Sequence, residues 1–313
     1  MAISIPWFKQ SKTRSGRVGL SFGPDGIGIA AVNSYGAVVF CQFIDQLGET
    51  AELLAEVIEQ QGWQKMPCSL VLHPVYYQLL LAECPAVASD EMSAAVRWKV
   101  KDLLDFPLAD AAIEYFLLPE DAYRGRQKML YAAALRKAAL QSLVQPVEES
   151  DLIVDCVEIA ELALHNIVSR LPREGGGIAL LQLHAGEGFI NLVENGAIYL
   201  TRRLDIGLDG FNAERDNTRF FDSLFLEVQR SLDYYESQLG KGIITRLFYS
   251  PALDETVAIG DFLSMQLGLN VAALDLSGLE ILTAEVGLDN RCVSAVGAAL
   301  GPFNAQEATR AAS

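Results

Sequence analysis

Residues 18–32 read VGLSFGPDGIGIAAV, two apolar runs around the turn Gly23-Pro24-Asp25-Gly26. A glycine turn between strands can cradle a phosphate with its backbone N–H groups, and it can also be an ordinary hairpin. The pattern returns at residues 178–200, IALLQLHAGEGFINLVENGAIYL, at a constant offset of 160. Leu20 then meets Leu180, Gly26 meets Gly186, Gly28 meets Gly188, and Gly36-Ala37 meets Gly196-Ala197. Each block is an apolar run, a glycine turn, a second run, a Tyr-Gly or Asn-Gly turn and a third run, the signature of an antiparallel meander. Self-similarity at this distance implies two homologous lobes. Other chemistry is sparse. There is no G-x-S-x-G elbow and no Walker A loop, and His73, His165 and His184 lack metal-ligand spacing. Gly175-Gly176-Gly177 precedes a strand, which makes it a linker and a poor phosphate site.

The elements that would position the two turns follow a common order. After the first meander the spacing of Leu53, Leu54, Val57 and Ile58 predicts a helix over 50–61, then a strand near Ser69–Leu72. After the second, Phe221, Leu224, Phe225, Val228, Leu232 and Tyr235 predict a helix over 218–238. A strand at Ile243–Tyr249, a helix at 257–267 and a strand near residue 271 complete that lobe. Each lobe reads βββαβα, a mixed sheet covered by helices. The first lobe is interrupted by a small α+β subdomain over 84–150. Ser89 is its expected N-cap, its first helix stops before Pro107, strands follow around 113–118 and 129–134, and a second helix spans 136–147. The expected organisation is a basic leader at 1–17, a first lobe over 18–83 and 151–174, a second lobe over 175–303 and a polar tail at 304–313.

Composition narrows the function. The net charge of −16 argues against nucleic acid, whose phosphates need a positive footprint. No run of about 18 apolar residues is present, so no membrane span is expected. The leader carries Lys9, Lys12, Arg14 and Arg17 beside Ile3, Ile5, Trp7 and Phe8; this reads as a frayed terminus or a weak membrane-surface contact. Five dispersed cysteines without a CxxC pair read as buried free thiols of a reducing cytoplasm. The stripe Trp98, Leu103, Leu104 and Phe106 reads as core.

Two βββαβα lobes with an insertion in the first resemble the actin-like superfamily, in the ribonuclease H-like class. The segment EMSAAVRWKVKDLLDFPLADAAIEY, within Asp90–Tyr115, and LEVQRSLDYYES at 226–237 resemble PilM, the cytoplasmic actin-like family of type IV pilus assembly. The resemblance spans about residues 17–302 and is greatest to the MshI branch of MSHA pilus biogenesis. It implies a scaffold at the inner-membrane face that binds the N-terminal cytoplasmic tail of a PilN-like protein, with PilN/PilO-like partners. Arg97, Lys101 and Phe106 would then border the peptide groove.

The resemblance also implies where a nucleotide would sit, and what is missing there. ATP-binding relatives carry an acid at each phosphate turn; here Ser21 precedes Phe22-Gly23, and Gln182 stands in the second strand ahead of Gly186. Their glycine-rich adenosine turn corresponds to Ser250-Pro251-Ala252-Leu253, and the segment Leu208–Asn217 is short. Asp25 and Glu187 lie inside the turns, where an uncompensated carboxylate about 5 Å from a triphosphate costs several kcal/mol. The expectation is a degenerate nucleotide site (Ser21, Gly23, Gln182, Gly186, Ser250), no cofactor, no metal and no ATPase activity. The alternatives are an ATP-binding relative with Asp25 as a displaced magnesium-side acid, a sugar-kinase-like enzyme, or the cytoplasmic domain of a type II secretion L-type protein.

Overall fold

The computed structural model describes residues 16–45, 50–123, 128–168, 170–171, 176–211, 216–279 and 287–301. Residues 1–15 of the expected leader, the tail at 304–313 and residues 172–175 lie outside the described residues, whereas Arg17, expected as the leader's last residue, is instead the first residue of a strand. The chain divides into two units. Among the described residues no helix is long and apolar enough to cross a membrane.

The first unit is built on a five-stranded sheet of order β3-β2-β1-β4-β8. The strands are β1 (Arg17–Gly23), β2 (Gly26–Val32), β3 (Val38–Ile44), β4 (Pro67–Leu72) and β8 (Ile153–Ile159). The meander is antiparallel, while β4 pairs parallel with both β1 and β8. Helix α1 (Thr50–Gln61) buries Leu54 and Ile58. Helix α4 (Ala160–Val168) is almost wholly buried. Burial on both sides explains why β2 and β4 read as continuous apolar runs.

The short helix α7 (Val293–Ala299) packs on β1, β2 and β4. The expected second lobe ran over 175–303, whereas the described residues 287–301 group with the first unit. The approach is backbone to backbone. A Cβ on Gly19 would lie 2.0 Å from the Ala295 carbonyl oxygen, and one on Gly297 would lie 2.0 Å from that of Ala163.

The inserted sheet has the order β5-β7-β6, all antiparallel, from β5 (Gln78–Glu83), β6 (Ala111–Leu117) and β7 (Met129–Arg136). It therefore begins before residue 84, since β5 pairs along its whole length with β7. Helix α2 (Met92–Val100) buries Val96 and Val100 against Ala82, Leu130 and Ala132. Ser89 does not cap it: the N-cap position falls to Glu91, with no side-chain bond. Helix α3 (Lys137–Glu149) follows β7 and packs on α1.

The second unit repeats the plan with order β11-β10-β9-β12-β13. Its strands are β9 (Gly177–Leu183), β10 (Gly188–Glu194), β11 (Ala197–Leu204), β12 (Ile244–Ser250) and β13 (Asn270–Ala273). Helix α5 (Thr218–Ser237) buries Phe220, Leu224, Val228, Leu232 and Tyr235 and contacts β10 and β11. Helix α6 (Val257–Leu267) brings Gly260 against the Tyr249 ring, where a Cβ would lie 2.4 Å from Cε1. Residues 118–123 also belong to this unit, through a Tyr199 bond to Asp121 of 3.0 Å and an ion pair from Lys241 to Asp121.

Two buried polar sets hold the first unit. The Arg17 guanidinium forks onto Asp155 at 2.6 and 2.8 Å and donates to Ser69 Oγ at 2.7 Å, linking β1, β4 and β8. Burial pushes the Asp155 carboxyl up, and the Arg17 charge opposes that shift. Removing only the arginine strands a buried carboxylate. We expect Arg17→Ala to lower unfolding free energy by about 3–5 kcal/mol in urea titrations, and Arg17→Met with Asp155→Leu to recover most of it. In the second set Asn166 Nδ2 donates to Glu158 Oε2 and to the Gly297 carbonyl, each at 3.1 Å, joining β8, α4 and α7. Burial raises Glu158 from 4.5 to about 8. An acid raised in the folded state is deprotonated first in the unfolded chain, so this stability is full below 4.5 and is lost as pH rises towards 8. Thermal melts should fall across that window, by at most about 1.4 kcal/mol per pH unit, and Glu158→Gln should flatten the fall.

Candidate functional site

The first glycine turn is a hairpin with Gly23 and Gly26 as its last cross-strand pair and Pro24-Asp25, both exposed, at its tip. Gly26 has φ of +145°, which only glycine adopts readily. Pro24 brings no N–H to the turn. The buried His73 side chain lies over Gly23, and a Cβ there would fall 2.9 Å from His73 Cδ2. The Val75 N–H donates to His73 Nδ1 at 3.2 Å, capping a turn of 3-10 helix at 74–76. Ser21 packs its hydroxyl against β2, 2.5 Å from where a Cβ on Gly28 would sit. No carboxylate stands at position 21, and the space beside Gly23 is filled by imidazole.

The second turn, 184–187, is closed by the His184 N–H donating to the Glu187 carbonyl at 2.8 Å. The chain after β11 lies flat on it. Leu208 and Asp209 donate to the carbonyls of His184 and Ala185 at 2.8 and 2.7 Å. A Cβ on Gly207 would come within 2.1 Å of the Ala185 oxygen and 2.4 Å of the Glu187 nitrogen. Gly186 faces open space. The Glu187 carboxylate is paired with Arg203 at 3.2 Å, which corrects the expectation of an uncompensated acid in this turn. Asp25 in the other turn also has an interaction partner.

Gln182 and Ser250 are brought together at the C-terminal ends of β9 and β12, as a register pair. They are only 5% and 1% exposed, and Gln182 Oε1 and Ser250 Oγ have no hydrogen-bond partner among the described residues. An amide and a hydroxyl can exchange hydrogen bonds with a guest, but they lack the charge that a hard divalent cation prefers. Beyond Ser250 the chain forms a side-chain-capped turn in place of a glycine run. The Thr256 hydroxyl donates to the Pro251 carbonyl at 2.8 Å and accepts from the Leu253 N–H at 3.0 Å.

On the inserted sheet the three expected partner residues have different surroundings. Arg97 donates to the carbonyls of Ala111 and Leu108 at 3.1 and 3.0 Å, which ties α2 to the turn before β6. The Lys101 ammonium sits 4.9 Å above the Trp98 ring, and the Arg136 guanidinium sits 4.7 Å above Phe106. Trp98 and Leu103 are not core: they are 65% and 53% exposed, because Val96 and Val100 take the buried face of α2. His73, Arg203 and Gly207 were not foreseen. Only the His73-Pro74 pair carried a signal, as a cap before a proline-started turn.

With this geometry in view, the chain can be placed among known structures. No protein-family profile matches it, and no curated protein does. It is similar to a chain of the PilM–PilN type IV pilus biogenesis complex, with a TM-score of 0.72 at 17% identity, covering 96% of this chain and 100% of that one. The cytoplasmic domain of EpsL, an inner-membrane component of the type II secretion system of Vibrio cholerae, matches at TM-score 0.53 and 14% identity, over 93% and 97%. A protein of unknown function from Bacteroides thetaiotaomicron with an actin-like ATPase fold matches at 0.50 and 12%, over 84% and 92%. The fold is thus the actin-like ATPase fold, with two mixed five-stranded sheets and an inserted antiparallel three-stranded one.

The packing of residues 207–209 on the second turn gives a direct test. Gly207→Ala places a methyl against a backbone oxygen that cannot withdraw. It should cost about 1–3 kcal/mol in chemical denaturation, whereas Gly186→Ala, in open space, should cost less than about 1 kcal/mol.

Proposed function

We propose that this chain is a cytoplasmic actin-fold scaffold of a type IV pilus machine, of the MSHA (MshI) kind, without ATPase activity. In this reading it sits at the inner-membrane face and holds the N-terminal tail of a PilN-like membrane protein, linking PilN/PilO-like partners to the motor side. The observation that carries the reading is the exposed Trp98, Lys101 and Leu103 face on the inserted subdomain of a fold that matches PilM over its full length. An exposed aromatic beside a cation and a leucine is a natural anchor for a short peptide. The absence of nucleotide turnover is supported by both turns: no acid at Ser21 or Gln182, imidazole over Gly23, and Gly207 laid on the second turn.

A second reading, the cytoplasmic part of a type II secretion L-type protein, draws support from the EpsL likeness. The two separate by partner. Tails of PilN-like and of secretion-system proteins, labelled and titrated against the full chain, should show saturable binding by the pilus tail alone. Trp98→Ala should weaken that binding by at least about ten-fold without moving the melting temperature. Retention of no pilus tail sinks the scaffold reading. Mg·ATP should leave the melting curve unchanged; saturable micromolar stabilisation would instead favour an ATP-binding relative.

A further inference from the structure

Two of the five cysteines, far apart in the chain, meet in the first unit. Cys41 lies on β3, and Cys292 ends the 3-10 turn Asn290–Cys292 that runs into α7. Both converge on the main-chain carbonyl of Asp289. The Cys292 N–H donates to it at 2.9 Å and the Cys41 thiol at 3.6 Å. The two thiols are also hydrogen-bonded to each other. The turn that carries Cys292 packs on β2 and β3, and a Cβ on Gly28 would stand 3.7 Å from the Cys292 Cα.

The pair is asymmetric. Cys41 is the outer thiol, 8% exposed on the edge strand of its sheet, and Cys292 is wholly buried beneath it. The hydrogen bond from Cys292 lowers the Cys41 thiol, against burial and the Asp289 charge. The same contact, together with burial, pushes the Cys292 thiol up. The contact therefore favours a thiolate at 41, and the thiolate is the nucleophile of sulfur chemistry. Burial instead pushes the Cys68 and Cys156 thiols up, which keeps them inert.

We propose that Cys41 and Cys292 form a redox-responsive pair that a hydroperoxide converts to a disulfide, fastening α7 covalently to the edge strand of the first sheet. The Cys41 thiolate attacks one peroxide oxygen, the O–O bond breaks, and the other oxygen leaves and takes up a proton. The Cys41 sulfenic acid is then attacked by the Cys292 sulfur. The S–S bond forms, the S–O bond breaks, and the hydroxide leaves as water with the Cys292 proton. Two electrons pass from the sulfurs to the peroxide, and two thiols with one hydrogen peroxide give one disulfide and two waters. In a reducing compartment the pair rests as thiols, and a dithiol reductant reopens it. The bridge closes a loop of about 250 residues, the long-loop case in which a cross-link constrains the unfolded chain most.

The test uses the full chain with Cys84→Ser, which removes the one cysteine that is not buried. After a small excess of hydrogen peroxide, alkylation in denaturant and non-reducing peptide mapping should find a Cys41–Cys292 cross-link, with Cys68 and Cys156 still alkylated. The melting temperature should rise by at least about 5 °C and return on treatment with dithiothreitol. Cys292→Ser should stop the reaction at a sulfenic acid that dimedone traps on Cys41, with no rise in melting temperature. In Cys41→Ser, Cys292 should stay unoxidised. Absence of the cross-link from the folded chain overturns the proposal, a result that needs neither variant of the pair to fold. Cross-linking at the same rate in urea, or a sulfenic acid on Cys292 in place of Cys41, also overturns it. A cross-link that leaves the melting temperature unmoved overturns the fastening of α7.

Discussion

The approach of α7 to β1 is the contact on which the first unit turns. A helix can lie with its backbone against a sheet only where neither side presents a Cβ, and Gly19 and Gly297 provide that clearance on β1 and against α4. The rest of α7 is small, VSAVGAA, so its whole length sinks to the sheet and buries completely. Asn166 then reaches the Gly297 carbonyl while also donating to Glu158, a polar link that exists only at this depth. One consequence is topological. The first sheet has a face that stays open until nearly the last described residues of the chain arrive.

Packing and backbone geometry alone require glycine at both turns. Gly26 is required by its positive φ, and Gly23 and Gly26 close a hairpin ladder that runs the full length of β1. In the second unit Gly207 is required because it lies on the turn. Neither requirement involves a phosphate. The strand ends bear side chains suited to hydrogen bonding, Ser21, Gln182 and Ser250, in places where divalent-cation chemistry would call for carboxylates.

Strong periodicity made most of the architecture legible in the sequence. Both meanders follow the repeat of apolar runs and turns; α1, α5 and α6 follow their helical spacing, with starts and ends within a residue or two. The destination of α7 was not legible, because a seven-residue helix of small residues and two valines, buried all round, has no amphipathic face to assign and its packing partner is some 270 residues away. Trp98 was misread for the opposite reason. Large apolar residues weigh towards core, yet on α2 the narrow valine stripe Val96–Val100 already fills the three-stranded sheet. The pairing of Glu187 with Arg203 was out of reach too, since it depends on the antiparallel register that sets β11 beside β10. Ser89 failed as a cap although its residue type was right: the helix starts three residues later, after a turn the sequence does not mark.

The two halves of the duplication reach the same end by different physics. In the first unit the turn carries a proline that has no N–H, and His73, the cap that follows β4, is laid over Gly23. In the second the turn keeps its glycine and its open Gly186, and it is the following segment that covers it, through two backbone hydrogen bonds and the bare Cα of Gly207. A single substitution would give neither turn a metal-side carboxylate without a steric or desolvation cost. In the first unit an acid at 21 would meet a hydroxyl-sized space against Gly28, and in the second an acid at 182 would enter a buried site beside Ser250. Uncharged strand ends and packed turns therefore occur together in both units, each by its own local contacts.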